Sequence, residues 1–90
     1  MLKLDITKQV KKFMDGLSPK QFKQVARKIL SLMEEPRPVD SINLAGYSYR
    51  RADIGEYRII YRVENDLLKV ALVGKRNDDE VYKKLKRLLG

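Results

Sequence analysis

Cysteine and histidine are both missing from these 90 residues. Their absence excludes a disulfide framework, a thiol nucleophile, a Cys/His zinc site and any imidazole to carry protons near neutral pH. Long apolar runs are missing too: nothing approaches the roughly 18–20 residues of a membrane span. Met1-Leu2-Lys3-Leu4-Asp5 meets a charge at once, so no signal peptide is expected. These absences fit a cytoplasmic protein without membrane association. What is present reads as one domain, residues 1–90, with 43% hydrophobic content and enough chain for a modest core.

Acidic residues are the scarcer charge. Twelve stand against twenty basic ones, and the net charge of +8 favours polyanions such as nucleic acid, the ribosome or an acidic partner. The two basic types are distributed unequally. Most lysines fall in the first half, whereas six of the eight arginines (Arg50, Arg51, Arg58, Arg62, Arg76 and Arg87) fall in the second. Solvation needs only lysine. A guanidinium is planar, always charged, and its forked donors match phosphate oxygens. The arginine-rich half therefore reads as a surface for a phosphodiester, RNA above all.

Leu2, Leu4 and Ile6 alternate with Lys3 and Asp5 and predict a short strand. Ile6, Val10, Phe13, Met14 and Leu17 then recur at helical spacing, with Gly16 near the end. Ser18-Pro19-Lys20-Gln21 supplies an N-cap, a proline at the first helical position and the glutamine of a capping box. Phe22, Val25, Ala26, Ile29, Leu30 and Met33 form the second apolar stripe, which Pro36 and Pro38 terminate. Residues 39–46 read as a loop tethered by Leu44. Three strands follow at about 47–53, 56–64 and 67–73, joined at Ile54-Gly55 and Asn65-Asp66. Asp78, Asp79 and Glu80 suit a helix N-terminus, continued by Val81, Leu85 and Leu88. The expected fold is α+β: an N-terminal helical hairpin packed on a small, mostly antiparallel four-stranded sheet, with a short C-terminal helix.

Period two on the middle strand sets Tyr57, Ile59, Tyr61 and Val63 on one face and Arg58, Ile60 and Arg62 on the other. The first set reads as core. On the second, Arg62 can pair with Glu64 or Asp66, and Arg58 with Glu56. Lys75 and Arg76 can form an ordinary basic strand end, and the ring of Tyr82 can simply lie beneath the last helix. Consecutive positions on a helix diverge by ~100°, so Asp78-Asp79-Glu80 is a charge match rather than a metal site. Arg51 and Asp53 share a face, which favours an ion pair between them. The other role open to Asp53 is to accept a proton.

The phrases Asn43-Leu44-Ala45-Gly46, Gly55-Glu56-Tyr57-Arg58-Ile59-Ile60-Tyr61 and Val73-Gly74-Lys75-Arg76, with Tyr82 six residues on, carry a resemblance. With them, and with its order of elements, nearly the whole chain resembles the RelE/ParE superfamily of toxins from toxin–antitoxin modules. Gly-Lys-Arg and the spaced tyrosine are similar to the RelE branch, mRNA interferases that cleave messenger RNA on the ribosome. The resemblance implies four catalytic residues. Arg58 matches the arginine on the scissile phosphate, and Arg76 the one that stabilises its transition-state charge. Tyr82 matches the tyrosine that stacks on or orients the nucleotide, and Arg51 one of two basic positions on the preceding strand. The other basic position falls on Asp53, which departs from the pattern. Arg50, Arg62, Lys75 and Asp53 are the expected substrate-binding residues.

The same resemblance implies a cognate RelB-like antitoxin, whose acidic-hydrophobic segment folds on the basic surface. It also implies the ribosome and mRNA as partners, and no cofactor. A nuclease for RNA need not activate water with a metal, because the 2′-hydroxyl is its own nucleophile. It needs in-line positioning, charge stabilisation and proton transfer. Without histidine, the proton carriers are Tyr82, Lys75, Asp53 or Glu56. The expected products are a 2′,3′-cyclic phosphate and a 5′-hydroxyl. Two other readings stay open: a ParE-like inhibitor of DNA gyrase without nuclease activity, and an inactive RNA-binding module.

Overall fold

The computed structural model describes residues 1–77 and 80–89, with Glu80 and Leu89 described through their backbone alone. The elements are β1 (Lys3–Ile6), α1 (Lys8–Asp15), α2 (Pro19–Glu34), β2 (Ser41–Asn43), β3 (Arg50–Ile54), β4 (Tyr57–Glu64), β5 (Leu67–Lys75) and α3 (Glu80–Leu89). The charge match expected of Asp78, Asp79 and Glu80 lies outside the described residues. No described helix is long and apolar enough to cross a membrane.

Local chemistry explains where the helices begin. The Thr7 hydroxyl caps α1 by accepting from the Val10 amide at 3.3 Å. The capping box of α2 forms as its sequence predicts, with Gln21 N donating to Ser18 Oγ at 3.3 Å and Ser18 N to Gln21 Oε1 at 3.4 Å. Such a cap contributes about 1 kcal/mol.

The sheet runs β1-β5-β4-β3-β2, with β1 parallel to β5 and every other pair antiparallel. It therefore has five strands where the sequence predicts four. The extra one, β2, lies inside the stretch expected to be loop, and it pairs Ser41, Ile42 and Asn43 with Ala52, Arg51 and Arg50. Three residues are too few to register a periodicity, and only pairing with β3 makes them a strand. The expected strand at 47–53 in turn starts later, at Arg50. Residues before it are held in a turn by Tyr47 N to Leu44 O at 3.1 Å and Leu44 N to Tyr49 O at 2.9 Å. Gly46 completes that turn at φ +82°, a conformation that glycine adopts freely.

Two cores flank the sheet. Under α1 and α2, Val10, Val25, Ile29 and Leu32 meet Ala52, Tyr57, Ile59, Tyr61, Leu68, Val70 and Val73. The opposite face is smaller: Leu44, Ile60, Ala71, Leu72, Val81 and Leu85 pack together, with Tyr49 and Tyr82 half-buried against them. β5 changes parity between the two. Ile60 faces Leu72 while Tyr61 faces Val70, so Ala71 is an extra residue in the ladder. Beyond it Gly74, rather than Val73, stands on the α3 side. β1 ends at Ile6, and the backbone of β5 past that point is satisfied by side chains instead. Thr7 Oγ1 donates to Ala71 O at 2.8 Å, and the Gln9 amide bonds both the C=O and the N–H of Val73 at 3.1 and 3.2 Å.

Candidate functional site

On the α3 face, cross-strand rows set Arg51 opposite Ile60, and Ile60 opposite Leu72; the adjacent row holds Asp53, Arg58 and Gly74. Gly74 is required here, because a Cβ would collide with Cγ2 of Val81. Its missing side chain lets α3 lie close on the strands and carries Tyr82 over the arginine row.

The hydroxyl of Tyr82 accepts two hydrogen bonds, from Arg51 Nη1 and from Arg58 Nη1, each at 2.7 Å. The Arg58 guanidinium carbon lies 5.6 Å from the centre of the same ring. On its other edge Arg58 donates to Asp53, Nε to Oδ1 at 2.8 Å and Nη2 to Oδ2 at 3.2 Å. The two side chains of this pair are 12% and 30% exposed, respectively. The bond from Arg58 lowers the pKa of Asp53, with further lowering from the charges of Arg58, Arg51 and Arg76, against the opposing effect of burial. Asp53 in turn raises the pKa of Arg58.

This arrangement corrects the expected partner of Asp53, which is Arg58 across the strands and not Arg51 along its own strand. Arg58 does not pair with Glu56 either. A carboxylate held below its ordinary pKa is also a poor proton acceptor, so the geometry disfavours Asp53 as the base.

Arg76 follows β5 and is exposed. Its backbone N–H bonds Glu56 O at 2.8 Å, and its Nη1 approaches Gly55 O at 3.4 Å. Together with Gly55, Glu56, Lys75 and Asn77 it lines an open cleft where β4 begins and β5 ends. Lys75 pairs with Tyr57, so its row faces the helical hairpin, and it reaches this cleft rather than the Arg58 row.

The structure brings Arg51, Asp53, Arg58 and Tyr82 into one bonded cluster with Arg76 beside it. Arg50 and Arg62 stand apart. Arg50 shares a row with buried Tyr61 and ties β3 to β2 through Ser41 Oγ at 2.8 Å and Asn43 Oδ1 at 2.8 Å. Arg62 pairs with Glu64 at 2.7 Å, as one reading of the sequence had it, and its guanidinium carbon lies 5.7 Å from the Tyr49 ring centre. Sequence reasoning assigned no role to Gln9 or Tyr49. A glutamine in the first turn of a helix carries no signal that it will complete a distant strand.

The family described as the ParE toxin of the type II toxin–antitoxin system parDE matches residues 4–80. No curated protein matches the chain. Among solved structures, the archaeal RelE–RelB complex from Pyrococcus horikoshii OT3 is similar, at 29% identity over 83% of this chain and 94% of that one, TM-score 0.74. The isolated E. coli RelE toxin is 23% identical over the whole of both chains, TM-score 0.74. The intact E. coli RelBE toxin–antitoxin complex is 23% identical over 83% and 96%, TM-score 0.72. The two E. coli likenesses show the fold.

Proposed function

This chain belongs to the ParE toxin family of type II toxin–antitoxin systems, and we propose that it acts as a metal-independent endoribonuclease on ribosome-bound mRNA. The observation that carries the reading is the convergence of Arg51 and Arg58 on one tyrosine hydroxyl, 2.7 Å from each, with Arg76 just past the end of the adjoining strand, bonded to Glu56 O. Such a group suits a phosphodiester whose charge grows in the transition state. Preorganised donors of this kind each contribute on the order of 100- to 1,000-fold in rate.

The reaction balances without an added reagent. The 2′-oxygen forms a bond to phosphorus and loses its proton to a base, the bond from phosphorus to the 5′-oxygen breaks, and that oxygen takes up a proton. A 2′,3′-cyclic phosphate and a 5′-hydroxyl result. Arg58 and Arg76 neutralise the non-bridging oxygens. Tyr82, whose oxygen accepts two donors and still has a hydrogen to give, orients the nucleotide or hands over that proton.

The partner that accompanies this reading is a RelB-like antitoxin, as in the solved complexes of RelE with RelB. Its apolar residues would gain burial on the groove of Leu4, Ile6, Phe22 and Leu30, which stays exposed between β1 and the two helices. The excess positive charge favours an acidic segment.

Toeprinting of a translated mRNA with purified protein tests the proposal. Cuts on the ribosome with cyclic-phosphate ends are expected, and intact message would refute it. One observation favours a second reading, a gyrase inhibitor without catalysis: Asp53 already neutralises Arg58. That reading expects intact mRNA and loss of supercoiling by gyrase in the same preparation.

A further inference from the structure

A guanidinium has five N–H donors. Three of those on Arg58 are engaged, Nε and one of Nη2 by Asp53 and one of Nη1 by Tyr82. Two are left, one on each terminal nitrogen, and charge-assisted bonds from such donors suit phosphate oxygens. Asp53 occupies the edge formed by Nε and Nη2 and leaves one donor on each terminal nitrogen. Its carboxylate is carried by the strand position directly across from Arg58, so the sheet and not a loop fixes where the guanidinium lies.

The surroundings give this contact a second purpose. Arg51 and Arg58 share one hydroxyl oxygen, and Arg76 stands close enough for its charge to act on Asp53. Like charges so placed repel one another. Asp53 is the only carboxylate bonded to this group among the described residues.

Building on the nuclease reading, we propose that Asp53 is a positioning residue. It holds Arg58 by one edge so that the remaining donors on the terminal nitrogens meet the scissile phosphate, and it keeps the clustered guanidiniums together. The acidic residue at this position thus works through Arg58 without touching the substrate. The competing account makes it an internal anion that the phosphate must expel, and the two accounts differ in sign.

The test is Asp53→Asn, which keeps shape and one acceptor but removes the charge and the second acceptor. Under single-turnover conditions on ribosome-bound mRNA, the maximal rate should fall on the order of 100-fold, as for a misplaced catalytic group, while half-saturation changes little. In 15N-labelled protein without substrate, the Arg58 Nε–H resonance should move away from its carboxylate-bonded shift in the variant, whose remaining acceptor is neutral. It should do the same in the wild type as acid protonates Asp53, which needs no mutation. A variant that cleaves as fast as wild type or faster overturns the inference, and so does an Nε–H resonance indifferent to both changes. Failure of the nuclease reading looks different: the wild type itself leaves mRNA intact, and the positioning role for cleavage falls with it.

Discussion

Under α1 and α2, Tyr61 is fully buried and donates its hydroxyl to the Pro36 carbonyl at 2.5 Å. Under α3, Tyr82 is half-buried, and its hydroxyl takes two guanidinium donors. The same residue type, on two sides of one sheet, closes off the first face and opens the second. The helical-hairpin face is layered with apolar side chains, and its buried tyrosine hydroxyl is answered by backbone. Among the described residues the α3 face has half as many buried members in its core, and its arginines meet through a tyrosine and an aspartate. Close apolar packing is concentrated on one face and charged donors on the other, because a close-packed core does not tolerate charged groups unpaired.

That division breaks most visibly with a truncation on the hairpin face. Leu32→Ala should cost about 2–5 kcal/mol in urea denaturation, with the cleavage rate per folded molecule unchanged. A matching loss of rate would mean the faces are coupled. Arg76→Ala is the mirror experiment. Cleavage should drop on the order of 100- to 1,000-fold, while the melting free energy moves by less than about 0.5 kcal/mol, as for an exposed side chain. Full toxicity in cells expressing that variant would remove Arg76 from the mechanism.

The two tyrosines sharpen the contrast further. Tyr82→Phe should raise the cleavage barrier by about 1.5–3 kcal/mol, the range for hydrogen bonds to charged groups, and Tyr61→Phe should lower stability by about 1 kcal/mol with normal activity. Exchanged outcomes would reverse the assignment of the faces. The smallest effect is on pH. The pKa of Asp53 is lower in the folded protein than in the unfolded chain, so its pairing with Arg58 stabilises fully above the ordinary carboxylate range. That contribution is lost as pH falls through the depressed folded value. Stability curves of wild type and Asp53→Asn should therefore converge in acid, and parallel curves would deny the pair a share in stability.

Much of this was legible in the residues. Ser18-Pro19 and Gln21 announced α2, and period two separated Tyr57, Ile59 and Tyr61 from Arg58 because strand side chains must alternate. The arginines and Tyr82 stood out by type and spacing, and the chain's family match agrees with the resemblance they carry. β2 escaped because it is a strand only through its partner. The pairing of Asp53 escaped because strand neighbours across a sheet are invisible to an argument along one strand.

The sequence by itself determined the start of α2, the alternation of the central strands, the net charge and the absence of thiol and imidazole chemistry. Each of these depends on local backbone preference or on composition alone. Only the tertiary structure decided that Arg58 faces Asp53, that Arg50 and Arg62 stand apart, and that Tyr82 bridges Arg51 and Arg58. Those outcomes depend on register. The extra residue at Ala71 puts Gly74 on the α3 side, and the space left there lets the helix carry Tyr82 down onto the arginines.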